Sequence, residues 1–289
     1  MSEPAPLEFT GERFTPECPR EIFYEHWHRY ALAATAVDDL MVLDAACGEG
    51  YGSDMMARSA RSVDAVDLDA ATVDHARRRY GSDSLRFHQS DCLELPFEDQ
   101  RFDAVVSFET LEHLGEHEAL LDEFRRVLKP GGWLMISSPD KKTYSDETGY
   151  DNPYHVRELY RDELEALLGG RFAHFRLLAQ KLAFVSLIWD MESAGSVGCL
   201  QTGPGGTGPT PVPAWPPLYY VAVCADRSES LPELPGLSLF GDRDESVYQH
   251  YNDEIRRNIH ARGTLEAYEK RIAELEARLS RPWWKRLLG

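Results

Sequence analysis

Gly48, Gly50 and Gly52 form a glycine-rich turn that starts four residues after Asp44. Glycine lets the main chain turn tightly and lets a ligand approach the backbone closely. Asp67 ends the next predicted strand, where an acidic side chain can accept hydrogen bonds from both ribose hydroxyls of a nucleoside. The turn and Asp67 together predict a nucleoside-cofactor site.

The spacing and charge of the turn narrow the class of cofactor. The glycines follow G-x-G-x-G rather than the G-x-G-x-x-G of dinucleotide sites, and Asp44 and Glu49 lie in or beside the turn. Acidic groups so close would repel a pyrophosphate, whereas they suit a cationic amino-acid and sulfonium ligand. The turn therefore favours a nucleoside with a positively charged sulfur.

Two histidines are candidates for proton transfer. His113 follows the predicted fourth strand, at the edge where ligands of open α/β sheets bind, and His155 lies on a loop after the fifth. An imidazole near neutral pKa can remove the proton from a hydroxyl acceptor. The alternatives are that His113 caps or packs the next helix and that His155 is solvated.

Strand and helix patterns alternate along residues 21–139 with short connections, which predicts a doubly wound, mostly parallel sheet. The predicted strands are Met41–Ala46, Ser62–Leu68, Leu85–Gln89, Phe102–Phe108 and Trp133–Ser137. The predicted helices are Glu21–Val37, Gly52–Ala60, Ala70–Tyr80 and His117–Leu128.

The alternation of strand and helix patterns becomes less regular beyond Pro139. A short helix is predicted over Arg161–Leu168, a strand within Phe172–Trp189 and a strand over Leu218–Ala225, whereas Ser193–Pro217 reads as a long loop. A helix over Glu245–Ser280 carries an apolar a/d seam of little more than two heptads. The seam residues are Leu265, Tyr268, Ile272, Leu275 and Leu279.

Composition excludes several classes of protein. The 289 residues carry a net charge of −18, with a pI near 5.0, so a nucleic-acid partner is disfavoured because phosphates need a basic face. Five widely spaced cysteines and the absence of paired-carboxylate signatures indicate neither a disulfide framework nor a metal site. No signal peptide or apolar run of about 18 residues is visible, which predicts a cytoplasmic protein.

Five segments, in order, resemble the motifs of class I S-adenosylmethionine-dependent methyltransferases. They are DAACGEG from Asp44, DL from Asp67, DC from Asp91, FDAVVSFETLEHL from Phe102 and VLKPGGWLMISSP from Val127. The resemblance implies a Rossmann-like, mostly parallel seven-stranded sheet with helices on both faces, followed by a C-terminal helix. It also implies S-adenosylmethionine as the cofactor.

The same resemblance implies roles for individual residues. Gly48 and Gly50 would lie at the methionine moiety, Asp67 on the ribose, Leu68 against adenine and Asp91 near the adenine amine. The remaining predicted cofactor residues are Asp44, Cys92 and Glu109.

Other segments are similar to methyltransferases of bacterial polysaccharide and lipopolysaccharide synthesis. These are TGERFTPE, YEHWHRYALA and SDETGYDNPYHVREL, and they imply a sugar hydroxyl as acceptor, with His113 as its base and Tyr144, Tyr150 and Tyr154 stacking on the sugar. Ser107-Phe108-Glu109 replaces the N/D-P-P-Y/F element of enzymes that methylate amines. The alternatives are a methyltransferase for a lipid, quinone or natural product, and a non-catalytic donor-binding scaffold or regulator.

The predicted layout has three parts. Residues 1–40 form an arm and a lid helix, residues 41–226 form the methyltransferase domain with an insertion near 190–217, and residues 227–289 form a linker, a helix and a basic aromatic tail. The helix and the tail Trp283–Leu288 suit docking to a partner enzyme or to anionic lipid at the inner face of the membrane. Packing on the chain's own domain or in a homo-oligomer is the alternative.

Overall fold

The computed structural model describes residues 21–188, 191–192, 198–203, 206–210 and 213–280. The predicted N-terminal arm, the basic aromatic tail and parts of the insertion lie outside these residues. The chain divides into two compact units, of which the first ends at Phe240 and the second begins at Gly241.

A seven-stranded sheet organises the first unit, in the order β3-β2-β1-β4-β5-β9-β6. Neighbours from β3 to β5 are parallel, and β9 runs antiparallel to both β5 and β6. The predicted mostly parallel sheet is therefore confirmed. Its strands are β1 (Met41–Ala45), β2 (Ser62–Asp67), β3 (Leu85–Gln89), β4 (Phe102–Ser107), β5 (Leu128–Pro139), β6 (His174–Gln180) and β9 (Tyr219–Ala225).

Helices cover both faces of this sheet. One face packs against α1 to α3 through residues such as Ala33, Met56 and Val73, and the other packs against α4 and α5 through residues such as Phe124 and Leu164. The helices are α1 (Glu21–Ala34), α2 (Tyr51–Ala57), α3 (Ala70–Tyr80), α4 (His117–Val127) and α5 (Arg161–Gly169).

Strand side chains alternate between the two cores. On β1, Val42 faces the core of α1 to α3 while Leu43 faces that of α4 and α5, and both are fully buried. The central strands consequently read as continuous apolar runs, which is typical of parallel strands covered on both faces.

The strand order reverses between β1 and β4, which each continue into a loop at the carboxyl edge of the sheet. Ligands of open α/β sheets bind outside the carboxyl ends of the strands at such a reversal. The glycine turn follows β1 and residues 108–114 follow β4, so both lie at this point.

Two parts of the prediction were wrong. The predicted loop 193–217 contains a two-stranded antiparallel hairpin, β7 (Cys199–Gly203) with β8 (Gly206–Thr210), formed by Thr- and Gly-rich residues that lack an apolar alternation. β5 starts at Leu128 rather than Trp133, because Leu128 pairs with Phe102 before a register shift, so Lys129–Gly132 belong to the strand.

The second unit contains α6 (Ser246–Leu279), which confirms the predicted C-terminal helix. Every apolar seam residue is exposed, from 41% for Leu275 to 64% for Tyr268. None of the described helices combines the length and the apolar character that a membrane crossing requires.

Candidate functional site

The turn after β1 holds an unusual run of left-handed backbone. Ala46, Gly48 and Gly50 have φ values of 62°, 54° and 96°. Such values are costly for a residue with a side chain, and they concentrate at ligand sites. A Cβ on Gly50 would in addition lie 2.8 Å from the Phe87 ring, so this position requires glycine.

Gly52, in the first turn of α2, lets the N-terminal helix pack against the glycine turn. A Cβ on Gly52 would lie 2.3–2.4 Å from carbons of the Tyr30 ring. The Tyr30 hydroxyl donates to Asp44 Oδ1 at 3.2 Å. The absence of a side chain at Gly52 therefore allows α1 to reach the acidic residue at the end of β1.

Asp44 is fully buried and accepts a second hydrogen bond from Ser53 Oγ at 2.6 Å. The pKa of Asp44 is raised to about 7, mainly by burial and in addition by the charge of Asp67, although the hydrogen bonds from Ser53 and Tyr30 lower it. A buried carboxylate beside another negative charge is stabilised by a cationic ligand. This supports the predicted role of Asp44 toward a positively charged group.

Asp67 lies across the turn from Asp44. Its Oδ2 accepts from the Gly48 amide at 3.0 Å and its Oδ1 from the Asp69 amide at 2.9 Å, which fixes the carboxylate at the carboxyl end of β2. Leu68, the next residue, is 68% exposed. An exposed leucine beside a fixed carboxylate suits an adenine ring beside a ribose.

Asp91 and Cys92 extend the same edge beyond β3. Ser90 donates its amide to the Asp67 carbonyl at 3.0 Å, and Asp91 Oδ1 accepts from the Leu93 amide at 2.9 Å. Burial raises the pKa of the Cys92 thiol to about 12, so the thiol is neutral near pH 7. The structure thus brings the residues predicted from three successive strands to one edge.

Glu49 corrects the electrostatic argument made from the sequence. Its side chain is buried away from the turn, where it accepts from Tyr80 at 2.9 Å and pairs with His75 at 3.0 Å and Arg79 at 2.8 Å. These partners lie on α3, so Glu49 fixes that helix and does not face a ligand. Asp44 and Asp67 supply the negative charge of the site.

Glu109 follows β4 and has a φ of 52°, a second strained residue at the carboxyl edge. The Glu109 amide donates a hydrogen bond to Ser137 Oγ at 2.9 Å. Arg29 of α1 forms an ion pair with Glu109 Oε1 at 2.9 Å. Burial would raise the pKa of Glu109, but the charges of Arg29 and neighbouring histidines hold it below its ordinary value. Glu109 therefore joins the lid helix to the sheet as an ionised group.

Arg29 is a residue whose importance the sequence analysis missed. It is 2% exposed, donates to Gln180 Oε1 at 2.9 Å and lies over the Tyr219 ring, 4.8 Å from its centroid. An arginine on an amphipathic helix gives no sign of burial, because its partners come from β4, β6 and β9. Burial and the charge of Arg29 lower the pKa of nearby His26 to about 3.

The two predicted catalytic histidines lie together. Their rings are 5.1 Å apart at 78°, and Tyr144 stacks on His155 at 5.3 Å. Glu112, which the sequence analysis did not select, lies against them, and one ligand atom from each of the three residues falls within 4.8 Å of the others. Burial and the charge of Glu109 raise the pKa of Glu112 well above its ordinary value.

Comparison with known proteins agrees with this geometry. Residues 43–136 match the family model described as "Methyltransferase domain". The chain is 42% identical over 175 residues to a Mycobacterium tuberculosis protein named "Probable S-adenosylmethionine-dependent methyltransferase", covering 58% of this chain and 61% of that one. It is 33% identical over 152 residues to the fatty-acid O-methyltransferase of Mycolicibacterium smegmatis, covering 52% and 53%.

A solved structure from Thermotoga maritima shares the fold. It is a SAM-dependent methyltransferase described as a possible histamine N-methyltransferase, with a TM-score of 0.51 and 16% identity, and the match covers 71% of this chain and 90% of that one. The predicted mostly parallel fold is confirmed, residues 43–136 match the methyltransferase-domain model, and the names of the relatives support the predicted donor. The chain spans less than two thirds of the length of these two mycobacterial relatives.

Proposed function

We propose that this chain is an S-adenosylmethionine-dependent methyltransferase that methylates an oxygen atom of its acceptor. The observation that carries the donor assignment is the pair of fixed carboxylates, Asp44 and Asp67, on either side of a left-handed glycine turn. The matched methyltransferase domain includes this turn.

The donor would supply a methyl group activated by a positively charged sulfur. Asp44 lies where a carboxylate can attract the ammonium and sulfonium charges, and Asp67 and Leu68 would bind the ribose and adenine. Because the carbon is already activated, the protein contributes mainly by holding donor and acceptor in line at close distance. Methyl transfer breaks the sulfur–carbon bond, forms an oxygen–carbon bond and leaves sulfur as a neutral thioether.

A hydroxyl acceptor must lose its proton on methyl transfer, so a group near it must assist. The cluster of Glu112, His113 and His155 lies after β4 and β5 at the same carboxyl edge as the glycine turn. We assign this cluster to the acceptor side of the site. His113 and His155 remain the candidates for the base, as the sequence analysis proposed.

The exposed apolar side chains of the segment after β6 favour a lipid acceptor. β6 ends at Gln180, whose pairing with Tyr219 places it level with the carboxyl end of β5 at Pro139. The segment that leaves this edge presents large apolar side chains to solvent, with Ile188 97% exposed. These side chains are Phe184, Val185, Leu187, Ile188 and Met191. Contiguous exposed apolar groups beside a site mark binding of an apolar partner, and one of the relatives is named a fatty-acid O-methyltransferase.

A sugar hydroxyl is the second candidate acceptor. Tyr150 and Tyr154 are 53% and 45% exposed, and Tyr144 lies between Tyr150 and His155. Exposed aromatic rings beside the histidine cluster can stack on a pyranose face, as the resemblance to polysaccharide enzymes implied.

The test is transfer of a labelled methyl group from S-adenosylmethionine to long-chain acyl, quinol and saccharide acceptors by the full chain. We expect label in the acyl or quinol acceptors, and we expect the double variant Ile188→Ser, Met191→Ser to lose turnover with long chains while a short water-soluble acid is methylated at the same rate. Label found only in saccharides would replace the lipid assignment by the sugar one. Donor binding with no transfer to any class would favour the non-catalytic scaffold.

A further inference from the structure

Glu112 is a buried acidic side chain in the turn Leu111–His113, which follows β4. It is 1% exposed, and neither of its side-chain oxygens has a hydrogen-bond partner among the described residues. Buried carboxylates in native proteins are paired, hydrogen-bonded or bound to a metal, because removing the charge from water is otherwise costly. The carboxyl group of Glu112 therefore needs a partner that the described chain does not provide.

The hydrogen bonds of His113 and His155 indicate which nitrogen of each ring carries a lone pair. His113 Nδ1 lies 3.1 Å from the Tyr154 carbonyl, and His155 Nδ1 lies 2.5 Å from Glu158 Oε1. A carbonyl and a carboxylate only accept, so each Nδ1 carries the proton and each Nε2 carries the lone pair. Metal-bound histidines in proteins are oriented by the same kind of contact.

The main chain holds the cluster in place. The Glu112 carbonyl accepts from the amides of Val156 at 2.8 Å and Arg157 at 3.0 Å, which fastens the turn Leu111–His113 to the loop that carries His155. The ligand atoms of the three side chains lie within 4.8 Å of one another. Ligands about 2.0–2.2 Å from one ion are at most about 4 Å apart, so side-chain shifts of roughly 1 Å close the site.

We propose that Glu112, His113 and His155 bind a divalent transition-metal ion on the acceptor side of the site. One carboxylate and two imidazoles suit Zn²⁺, Mn²⁺, Fe²⁺ or Co²⁺ better than Mg²⁺ or Ca²⁺, which prefer oxygen ligands. Three protein ligands leave a coordination position for a further oxygen. No metal site was expected from the sequence, because His155 lies 42 positions after His113 and no local spacing links them.

The role of the ion rests on the proposed function. An acceptor hydroxyl in the remaining position would have its pKa lowered by the metal and would release its proton to solvent. The resulting oxygen would then take the methyl group from sulfur, as described above. His113 and His155 would act as ligands of the ion and not as bases.

The first measurement concerns the metal alone and does not depend on methyl transfer. The full chain, stripped with a chelator and dialysed, is titrated with Zn²⁺ by calorimetry and with Co²⁺ by visible absorption. We expect one ion per chain and Co²⁺ bands of a low-symmetry nitrogen and oxygen site. Glu112→Gln and His155→Gln should each weaken binding by at least about tenfold.

His88→Gln provides a matched control, because His88 is also paired with a carboxylate, Asp64 at 2.7 Å, but lies on β3. This variant should bind the ion like the wild type, and circular dichroism should show that all variants are folded. Absence of stoichiometric binding, or equal binding by wild type and Glu112→Gln, would overturn the proposed site.

The second measurement separates the metal site from the donor site. We expect the stripped chain and Glu112→Gln to bind S-adenosylmethionine as tightly as the wild type, and turnover to disappear on stripping and return with added metal. Turnover that persists in the stripped chain would overturn the role of the ion in the reaction and leave the histidines as bases. If the wild type does not bind S-adenosylmethionine at all, the proposed function is overturned. The Zn²⁺ titration still tests the metal site in that case.

Discussion

At the scale of single residues, we propose that Asp44 and Asp67 contribute to donor binding in different ways. Asp67 is fixed by two backbone amides, whereas Asp44 is buried behind the turn with only two hydroxyl donors. The buried carboxylate is consequently the one whose charge depends on pH in the physiological range.

The affinity for the donor should therefore weaken as the pH is lowered, because Asp44 becomes protonated. With a pKa of about 7, raised by burial, Asp44 is mostly ionised at pH 8 and mostly protonated at pH 6. A cationic donor binds the ionised form, so we expect the affinity for S-adenosylmethionine to weaken by up to about tenfold from pH 8 to pH 6. Calorimetry at both pH values measures this change.

Asp44→Asn is the control for this prediction. The variant should bind more weakly at pH 8, and the ratio of wild-type to variant affinity removes the titration of the donor's own amine. A ratio that is the same at pH 6 and pH 8 would show that Asp44 does not titrate in this range.

Residue types predicted the donor half of the site but not its electrostatics in full. Asp44 and Asp67 were selected because each lies at the end of a predicted strand beside the glycine turn, and Asp91 was selected because of the resemblance to class I methyltransferases. Glu49 was misjudged because a side chain in a turn can face either way, and three partners on α3 determine its direction. Arg29 and Glu112 were missed because their burial depends on contacts between distant segments.

At the scale of elements, α1 closes over the glycine turn through a few specific contacts. Tyr30 reaches Asp44, Arg29 reaches Glu109, and Trp27 stacks on Tyr51 with ring centroids 5.5 Å apart. These contacts make the lid helix part of the donor site.

Gly52→Ala should displace this helix. The added methyl group would overlap the Tyr30 ring, and overpacking of this kind typically costs about 1–3 kcal/mol. We expect faster amide exchange across Glu21–Ala34 and weaker donor binding, because Tyr30 would no longer hold Asp44.

Gly198→Ala is a matched substitution, because nothing lies within 4 Å of the position its Cβ would take. It should leave exchange in α1 and donor affinity unchanged. Unaltered exchange in α1 of Gly52→Ala would show that the close approach of Tyr30 to Gly52 does not hold the helix.

Strong periodicity predicted the regular elements well, and its absence explains the errors. Apolar runs identified β1, β4 and the core of β5, since both faces of each strand are buried. The hairpin of β7 and β8 has no such run, and it is held by backbone pairing and by a hydrogen bond from the Thr207 hydroxyl to the Thr202 hydroxyl. The first residues of β5, Lys-Pro-Gly-Gly, read as a helix stop and a turn, although a register shift lets the strand begin there.

At the scale of the whole molecule, the second unit contains a long helix whose apolar seam is exposed. Ile272 and Leu275 occupy successive a and d positions, a combination that favours two-stranded coiled coils. We propose a second copy of this chain as the partner of the seam.

The double variant Ile272→Glu, Leu275→Glu should therefore be a monomer under conditions where the wild type is a dimer. Analytical ultracentrifugation measures the change, and calorimetry should show the same donor affinity for both proteins. A wild-type chain that is already monomeric at high concentration would contradict this role of the seam.

We propose that the carboxyl edge of the sheet binds S-adenosylmethionine through Asp67. A comparison of donor affinities between two aspartate variants and the wild type tests this most directly. Calorimetry of donor binding should show that Asp67→Ala loses at least about tenfold in affinity, because a hydrogen bond to a charged group contributes about 1.5–3 kcal/mol. Asp74→Ala, an exposed aspartate on α3 paired with Arg77, should bind like the wild type. Equal donor affinities for Asp67→Ala and the wild type would contradict the assignment of Asp67 to the donor site.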